Sequence, residues 1–156
     1  MKASRSIVDE TAYRLRPSTD LDLPFMYRTH CLGLGPYITQ IRGWDEEKES
    51  VYFFSRFTAS DCQVILAADN SAGWLRIEDH PDHLHFDYIA LAPEYQRRGI
   101  GGAIVTELLQ RARQRCVPVT LNVLRVNPAR TLYERLGFDE VGGDEDRIFM
   151  EARPMR

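Results

Sequence analysis

Short segments in which apolar residues run together or alternate with polar ones predict strands along much of the chain. Residues 13–16 alternate apolar and basic side chains, and residues 62–67 form a short apolar run that ends at a turn signal. Two more segments of this kind follow, at residues 74–77 and 84–92. We therefore expect one strand near the N-terminus and three successive antiparallel strands in the middle of the chain.

Helical patterns lie between these segments. Cap residues at 18–20 precede a helix that contains Leu21, Leu23, Phe25 and Met26. The run Gly33-Leu34-Gly35-Pro36 is expected to break the chain, and a second helix is expected after residues 44–47. Residues 101–115 predict a further helix with an apolar face, because apolar side chains recur there at i, i+4 spacing, at Ile104, Leu108 and Ala112.

The last third of the chain predicts a strand, a short helix and a hairpin. Residues 117–124 alternate as a strand, and Asn127-Pro128 opens a short helix that Gly137 closes. Residues 138–141 and 147–152 predict the final hairpin. The order of elements is then β-α-α-β-β-β-α-β-α-β-β. Because no repeat or linker interrupts this order, we expect residues 1–156 to form a single domain.

Composition and charge narrow the function classes. The 156 residues are 44% hydrophobic and 28% charged, which is typical of a soluble globular domain. The formal net charge of −3 gives no general attraction to nucleic acid or anionic lipid, so neither is expected as a partner. Residues 1–10 lack the apolar core of a secretory signal, and no apolar run reaches membrane-spanning length.

Cysteine and histidine spacing does not predict a metal site. Cys31, Cys62 and Cys116 are odd in number and far apart, which disfavours a disulfide framework or a zinc site and fits a reducing cytoplasm. Several histidines and aspartates cluster around Pro81, where the sequence is typical of an exposed hairpin end rather than a metal centre. These residues are Asp79, His80, Asp82, His83 and His85.

The strongest local signal for chemistry is the run Gln96-Arg97-Arg98-Gly99-Ile100-Gly101-Gly102, between a predicted strand and a predicted helix. Glycines let the backbone curl around a ligand, and free amides at a helix N-terminus form a cradle for a phosphate or pyrophosphate. Arg97 and Arg98 can add positive charge. A Rossmann loop fails because Ile104 stands where its third glycine belongs, and no Walker pattern follows. The remaining alternative is a pair of glycines that merely start a helix.

Two blocks of sequence resemble the GCN5-related N-acetyltransferase (GNAT) superfamily. Residues 89–95, leading into residues 96–101, are similar to the family's acetyl-CoA signature, Q/R-x-x-G-x-G/A. Residues 127–138 are similar to its closing helix, with Ala129, Tyr133 and Gly137-Phe138 at the expected separations. The resemblance is specific over residues 84–138, and the segments before it agree only in outline.

The resemblance implies an α/β fold, in which about four helices flank a mixed, mostly antiparallel sheet of about six or seven strands. It implies that the fourth strand splays from the fifth and that pantetheine pairs in the gap with the backbone around Ile89, Ala90 and Leu91. It also implies acetyl-CoA as the cosubstrate, with its pyrophosphate on the amides of residues 97–102 and with Asn127 near the pantetheine arm. Asn127 lies two residues before Ala129, whereas many members show three.

Direct acetyl transfer needs a neutral amine and a proton for the departing thiolate. An alkyl amine with a pKa near 10.4 is neutral only about once in 2,500 molecules at pH 7, so a base is useful. The resemblance places the Tyr133 hydroxyl near the thioester sulfur, as a proton donor. For the base, His85 is the first choice and Asp87 its orienting partner or alternative, because i and i+2 on a strand share a face. Relay through water leaves the base open.

The expected function is transfer of an acetyl group to a primary amine of a small molecule or peptide. Acceptor specificity is expected in the aromatic segment that contains Tyr37, Trp44, Tyr52, Phe53, Phe54 and Phe57. The acidic run at residues 45–49 either attracts a cationic amine or is a solvated helix face. The alternative function is a non-catalytic acyl-CoA sensor or interaction module on the same fold. An exposed strand edge near the C-terminus makes a homodimer plausible.

Overall fold

A computed structural model describes residues 9–154, which form one sheet of seven strands with α-helices on both faces. The strands are β1 (Arg14–Pro17), β2 (Gln63–Ala67), β3 (Asn70–Asp79), β4 (Leu84–Leu91), β5 (Val119–Leu124), β6 (Asp139–Gly143) and β7 (Arg147–Ala152). The helices are α1 (Leu23–Arg42), α2 (Glu46–Arg56), α3 (Ile100–Arg115) and α4 (Ala129–Arg135). The predicted order of elements is confirmed.

The strands lie in the order β1-β2-β3-β4-β5-β7-β6, so β1 and β6 form the two edges. Every neighbouring pair is antiparallel except β4 and β5, which run parallel. This exception follows from the crossover through α3, since parallel strands cannot be joined by a tight turn. The mixed, mostly antiparallel sheet with four helices confirms the fold class expected from the sequence.

The pairing of β4 with β5 stops early, which opens the sheet at its centre. Leu84, His85 and Phe86 pair with residues 119–121 of β5, and no pairing follows beyond Leu121 within residues 9–154. Both strands nevertheless continue, β4 to Leu91 and β5 to Leu124. The expected splaying of these strands is confirmed, and the gap lies directly before the loop that leads into α3.

Two apolar clusters cover the two faces of the sheet. Helices α3 and α4 pack on one face through a buried stripe that includes the predicted Ile104, Leu108 and Ala112. Helices α1 and α2 pack on the other face around Met26, Phe53 and Trp74. The side chains of Met26, Phe53 and Trp74 are wholly buried, and each contributes about 1.5–3 kcal/mol to stability. The two layers hold the central gap between them.

The predicted chain break at residues 33–36 is wrong, because α1 continues through it to Arg42. Proline inside a helix removes one backbone hydrogen bond but does not always end the helix. The glycines serve close packing. A Cβ atom on Gly33 would lie 3.3 Å from the Leu91 carbonyl oxygen of β4, and one on Gly35 would lie 3.7 Å from the Trp44 ring. Small residues therefore let α1 approach β4 and the start of α2.

Several boundaries also differ from the prediction. Strand β3 starts at Asn70 rather than at residue 74, because the hairpin from β2 is tight and pairs Ala67 with Asn70. Strand β5 starts two residues later than expected, at Val119.

In residues 9–154, no helix combines the length and the apolar character needed to cross a membrane.

Candidate active site

The backbone of β4 presents hydrogen-bonding groups to the central gap. The Ala92 N–H donates to the Ala72 carbonyl at 2.8 Å, so Ala92 faces β3. Successive residues of a strand point their backbone N–H and C=O groups to opposite edges of the strand. The backbone groups of Ala90 therefore also face β3, whereas those of Ile89 and Leu91 face the gap. The Leu91 carbonyl accepts a hydrogen bond from Gln96 Nε2 at 2.9 Å, which ties the following loop to the end of β4.

Ala90 is therefore oriented differently from its two neighbours among the predicted ligand contacts. Its backbone pairs with Trp74 of β3, and its side chain is buried in the cluster beneath α1 and α2. Ile89 and Leu91 retain the orientation that the resemblance implies. The backbone of Ala90 therefore does not face a ligand in the gap.

The loop at residues 96–102 leaves a row of backbone amides free at the start of α3. The N–H groups of residues 97–102 donate to no backbone or side-chain acceptor within residues 9–154. Arg97 has a φ of 61° and Gly99 a φ of 84°, and these left-handed residues turn the chain before Ile100 begins the helix. Consecutive free amides at the positive end of a helix form an anion-binding cradle.

Side chains around this cradle leave it open and positively charged. Neither Arg97 nor Arg98 pairs with a carboxylate in the described part of the chain, and Arg98 lies over the Tyr95 ring at 5.2 Å. A Cβ atom on Gly99 would lie 2.9 Å from Thr11 Cγ2, whereas one on Gly101 would meet no atom within 4 Å. The fold therefore requires glycine at position 99, because a side chain there would clash with Thr11. Gly101 instead borders open space that a diphosphate can fill.

A cavity passes through the sheet at the gap between β4 and β5. Ile89, Asn127 and Tyr133 line it near β5 and α4, and residues of α1 and α2 line it on the opposite face. It therefore joins the gap in the sheet to α1 and α2, which contain part of the aromatic segment expected to determine acceptor specificity. A reaction between a ligand in the gap and one under α1 and α2 fits this geometry.

Tyr133 is positioned by the short helix α4. Asn127 Oδ1 accepts a hydrogen bond from the Ala129 N–H at 3.0 Å and so fixes the turn that leads into the helix. The Tyr133 ring is buried against Phe138, with ring centroids 5.8 Å apart. Burial alone raises the pKa of Tyr133 to about 12, so the hydroxyl keeps its proton at neutral pH. A protonated hydroxyl on the cavity wall is suited to donate to a departing thiolate.

His85 and Asp87 lie close together on one face of β4, as the sequence predicted. His85 Nε2 is 3.7 Å from Asp87 Oδ1, and His85 Nδ1 lies 2.7 Å from Thr120 Oγ1 of β5. Burial lowers the pKa of His85, so its ring is neutral at pH 7. Asp87 lines the cavity, whereas His85 lies beside it.

Asp87 occupies a bulge and anchors two arginines. Arg76 pairs with Tyr88 while Ile77 pairs with Phe86, which leaves Asp87 as the extra residue of β4. Its carboxylate accepts hydrogen bonds from Arg56 Nη2 at 2.8 Å and from Arg76 Nη1 at 2.9 Å. Burial opposes ionisation of Asp87, but the hydrogen bonds and charges of both arginines outweigh it and lower its pKa.

We expect the Asp87→Asn variant to lose about 2 kcal/mol of unfolding free energy at pH 7, because two partly buried arginines lose their anionic partner. Since the folded-state pKa of Asp87 is lowered, this stabilisation is present above the unfolded pKa and is lost as the pH falls through the folded value. Urea denaturation at pH 7 and below pH 4 measures both effects. The exposed pair of Arg14 and Asp69 provides the control Asp69→Asn, for which we expect less than about 0.5 kcal/mol.

A stripe of α1 residues in the cavity wall was missed by the sequence prediction. His30, Leu34, Ile38 and Arg42 follow one another at four-residue spacing and all line the cavity. Their period is that of a helix face, so the signal was present, but the predicted chain break divided it. Of the predicted aromatic residues, Tyr52 and Phe57 line the cavity and Phe53 belongs to the core.

Of the acidic residues at 45–49, only Glu49 is buried, and it lines the cavity between β4 and β5. Glu49 Oε1 accepts a hydrogen bond from Arg42 Nη2 at 2.8 Å, and Glu49 Oε2 lies 3.9 Å from His30 Nε2. His30 Nδ1 is 2.5 Å from the Tyr88 hydroxyl. The acidic run is therefore mostly a solvated face with one carboxylate turned inward.

The histidines of the β3–β4 hairpin pair with nearby carboxylates. His80 Nε2 lies 3.0 Å from Glu78 Oε2, and His83 Nδ1 lies 2.8 Å from Asp82 Oδ1. The two rings stack with centroids 4.4 Å apart. Nowhere in residues 9–154 do three or more His, Cys, Asp or Glu side chains gather as metal ligands would.

Comparison with known proteins identifies a family whose model matches most of the chain. Residues 29–138 match the family model of the acetyltransferase (GNAT) family. Among curated proteins, none matches the chain by sequence.

Solved structures share the fold. The PaiA N-acetyltransferase of Thermoplasma acidophilum, crystallised with coenzyme A, has a TM-score of 0.73 and 16% identity over 91% of this chain and 99% of its own. The ribosomal-protein-S18-alanine N-acetyltransferase of Escherichia coli has a TM-score of 0.62 and 24% identity over 93% and 96%. N-acetylglutamate synthase of Neisseria gonorrhoeae, complexed with coenzyme A and N-acetyl-glutamate, has a TM-score of 0.59 and 14% identity over 93% and 36%.

Proposed function

Because this chain belongs to the acetyltransferase (GNAT) family, we propose that it transfers an acetyl group from acetyl-coenzyme A to a primary amine of a small molecule or a peptide. Acetyl-CoA is the cosubstrate of the family, and a structure of the same fold holds coenzyme A. The amine acceptor is the proposal. The observation that carries it is the cavity that joins the gap in the sheet to the space under α1 and α2.

The residues around the gap fit acetyl-CoA. The free amides of residues 97–102, with Arg97 and Arg98 beside them, suit the pyrophosphate. The outward backbone groups of Ile89 and Leu91 suit the amides of pantetheine, which would act as an added strand. Gln96 supports the loop from Leu91, and Ile100 and Gly102 supply further amides of the first helical turn. Bound acetyl-CoA supplies an activated acyl group as a thioester.

The residues of this chain supply proton transfer and positioning. Tyr133 holds a proton on the cavity wall, and we assign it the role of donating that proton to the sulfur as the carbon–sulfur bond breaks. Asn127 holds the helix that carries Tyr133 and lines the same cavity. The acceptor nitrogen forms the new bond to the acyl carbon. Placing both reactants in one cavity provides most of the remaining rate enhancement.

His85 is the proposed base, and Asp87 is its orienting partner. His85 lies beside the cavity wall, so we propose that it takes the proton of the amine by way of a water molecule. The neutral ring of His85 at pH 7 is the form that can accept a proton. Asp87 is held by Arg56 and Arg76 and remains ionised, which suits it to stabilise the charged His85 rather than to take the proton itself.

We expect the His85→Gln variant to lower kcat about tenfold to a hundredfold, because it removes the proposed base. In the wild type, the low pKa of His85 places the acid limb of the kcat/KM profile below pH 6.5, with activity lost as the pH falls. The variant should lack that limb. Steady-state kinetics between about pH 5 and pH 9 measure both effects. His83→Gln, the same change in the exposed hairpin, is the control, and an unchanged profile in His85→Gln would exclude the base role.

The test of the function combines binding with turnover. Isothermal titration measures the affinity of the purified protein for coenzyme A, and thiol release from acetyl-CoA over a broad amine panel measures transfer. Tight binding with release that depends on an amine supports the proposal. Tight binding without release from any amine would favour the alternative, an acyl-CoA sensor on the same fold.

We also propose a cytoplasmic location and a homodimer. The free thiols of Cys31, Cys62 and Cys116 fit a reducing compartment. Strand β6 lies at the edge of the sheet with all five of its residues exposed, and a second copy could pair with that edge.

A further inference from the structure

Two buried polar atoms in the cavity wall have no hydrogen-bond partner within residues 9–154. They are His30 Nε2 and Glu49 Oε2, which lie 3.9 Å apart on side chains that are 7% and 8% exposed. Nearly all buried polar groups in proteins are hydrogen-bonded, and leaving one unpaired costs stability. The pair therefore indicates a position that a ligand group completes.

The bonds that these two side chains already make define what the ligand group must be. Glu49 Oε1 is occupied by Arg42, so Oε2 remains as an acceptor. His30 Nδ1 is occupied by the Tyr88 hydroxyl at 2.5 Å, and burial lowers the pKa of His30 to about 4, so its ring is neutral at pH 7. The tautomer of His30 decides whether its Nε2 donates or accepts a hydrogen bond. Glu49 Oε2 is therefore the atom that defines the ligand group, and a carboxylate oxygen is complemented by a cationic donor.

The position of the pair separates it from the reacting groups. His30 packs among the aromatic rings beneath α1 and α2, whereas Tyr133 belongs to the cluster on the opposite face of the sheet. Both nevertheless line the same cavity. Leu34, Ile38 and Phe57 form apolar wall on the side of His30. A group bound at Glu49 thus lies across the sheet from Tyr133, with apolar surface beside it.

We propose that Glu49 and His30 bind a second, protonated amine of the acceptor, and that the acceptor class is an amine joined by a carbon chain to another cationic nitrogen. The proposal rests on the proposed function for the reacting end of the acceptor. An ammonium group can donate to Glu49 Oε2, and also to His30 Nε2 in the tautomer that carries its proton on Nδ1, and the apolar wall suits the methylene chain. Arg42 occupies Glu49 Oε1 at 2.8 Å, so the ammonium group shares the Glu49 carboxylate with Arg42 and binds its free oxygen, Oε2.

The test compares α,ω-diaminoalkanes with n-alkylamines of the same chain length, on coenzyme A-saturated wild type and on the Glu49→Gln variant. Isothermal titration measures amine binding, and initial rates measure KM where turnover occurs. We expect the wild type to bind the best diamine about tenfold or more tightly than its matched monoamine. Glu49→Gln should remove this preference, by lowering the affinity for the diamine to about that for the matched monoamine. Glu47→Gln, the same change at an exposed position of α2, should keep the preference.

The outcomes separate this proposal from the function on which it rests. Failure to bind coenzyme A, or binding of diamines without turnover, counts against acetyl transfer and leaves the diamine preference measurable by titration. A wild type that binds diamines and monoamines equally overturns the second-amine site, whether or not Glu49→Gln folds. Equal losses for both amine types in a folded Glu49→Gln variant also overturn it, since that result places Glu49 at the reacting amine. A preference that survives Glu49→Gln assigns the pair to a bridging water and refutes the proposal.

Discussion

The Gly101→Glu variant is expected to bind coenzyme A at least about a hundredfold more weakly than the wild type, which corresponds to about 2.7 kcal/mol of binding free energy. Gly101 lies in the first turn of α3, among the amides that donate to no acceptor in residues 9–154. A carboxylate there takes the place of the diphosphate. Two like charges about 4 Å apart in a partly solvated site repel by about 4 kcal/mol, which is more than the expected loss requires.

The same substitution should leave the fold intact. A Cβ atom on Gly101 meets no atom within 4 Å, so a side chain is accommodated without strain. Replacing a helical glycine and adding an acidic side chain to a first turn each stabilise a helix by up to about 1 kcal/mol. Thermal unfolding without ligand should therefore show equal or slightly higher stability, and isothermal titration with coenzyme A should show the loss of binding.

Gly101→Gln separates charge from bulk, because it has nearly the shape of the glutamate variant without its charge. We expect Gly101→Gln to lose less affinity than Gly101→Glu, and both to unfold at similar temperatures. Should Gly101→Glu bind coenzyme A as tightly as the wild type, the cradle at residues 97–102 is not the pyrophosphate site, and the proposed orientation of the cosubstrate is wrong.

The turn at residues 96–99 and the helix that follows it could be predicted from the sequence because both depend on local residues. A turn of glycines before a helix requires only residues that are neighbours in the chain, and Gly99 with its φ of 84° is such a position. The order of strands and helices followed from local periodicity for the same reason. The gap between β4 and β5 depends on partners that lie far apart in the sequence, and it was expected only because residues 89–101 and 127–138 resemble a family.

The acceptor side of the cavity could not be predicted in the same way. Residues 33–36 contain two glycines and a proline, which disfavour a helix, yet the packing of α1 against β4 requires small residues there. Tertiary contacts outweigh the local preference. Because the predicted break divided α1 in two, the sequence could not place His30 and Arg42 on one face of a single helix. The sequence did not distinguish Glu49 from the exposed acidic residues beside it. The helical pattern of α2 does not show which of its faces lies against Arg42.

The Asp87 bulge shows a similar limit. The spacing of His85 and Asp87 placed them on one face, and the structure agrees. Nothing in the sequence paired Asp87 with Arg56 and Arg76, because those partners come from α2 and β3. Those bonds lower the pKa of Asp87 and favour its predicted role of orienting partner over the alternative role of base.

The Tyr133→Phe variant is expected to lower kcat about a hundredfold while the affinity for coenzyme A stays within about twofold of the wild type. Phenylalanine keeps the ring against Phe138 and removes only the hydroxyl. No hydrogen bond contributes to the pKa shift of Tyr133, which burial alone raises to about 12, so little stability depends on the hydroxyl. Steady-state and single-turnover kinetics with the best amine acceptor, together with titration of coenzyme A, measure the two quantities.

The pH profile sharpens this prediction. Because Tyr133 is protonated at every pH below about 12, the wild type should show no alkaline loss of kcat from its ionisation up to about pH 10, and the loss in Tyr133→Phe should be constant across that range. Tyr37→Phe makes the same change on α1 away from the cavity and should leave kcat unchanged. A Tyr133→Phe enzyme that turns over at the wild-type rate at every pH would show that the thiolate leaves without this proton, and the donor must then be sought in solvent reaching the gap.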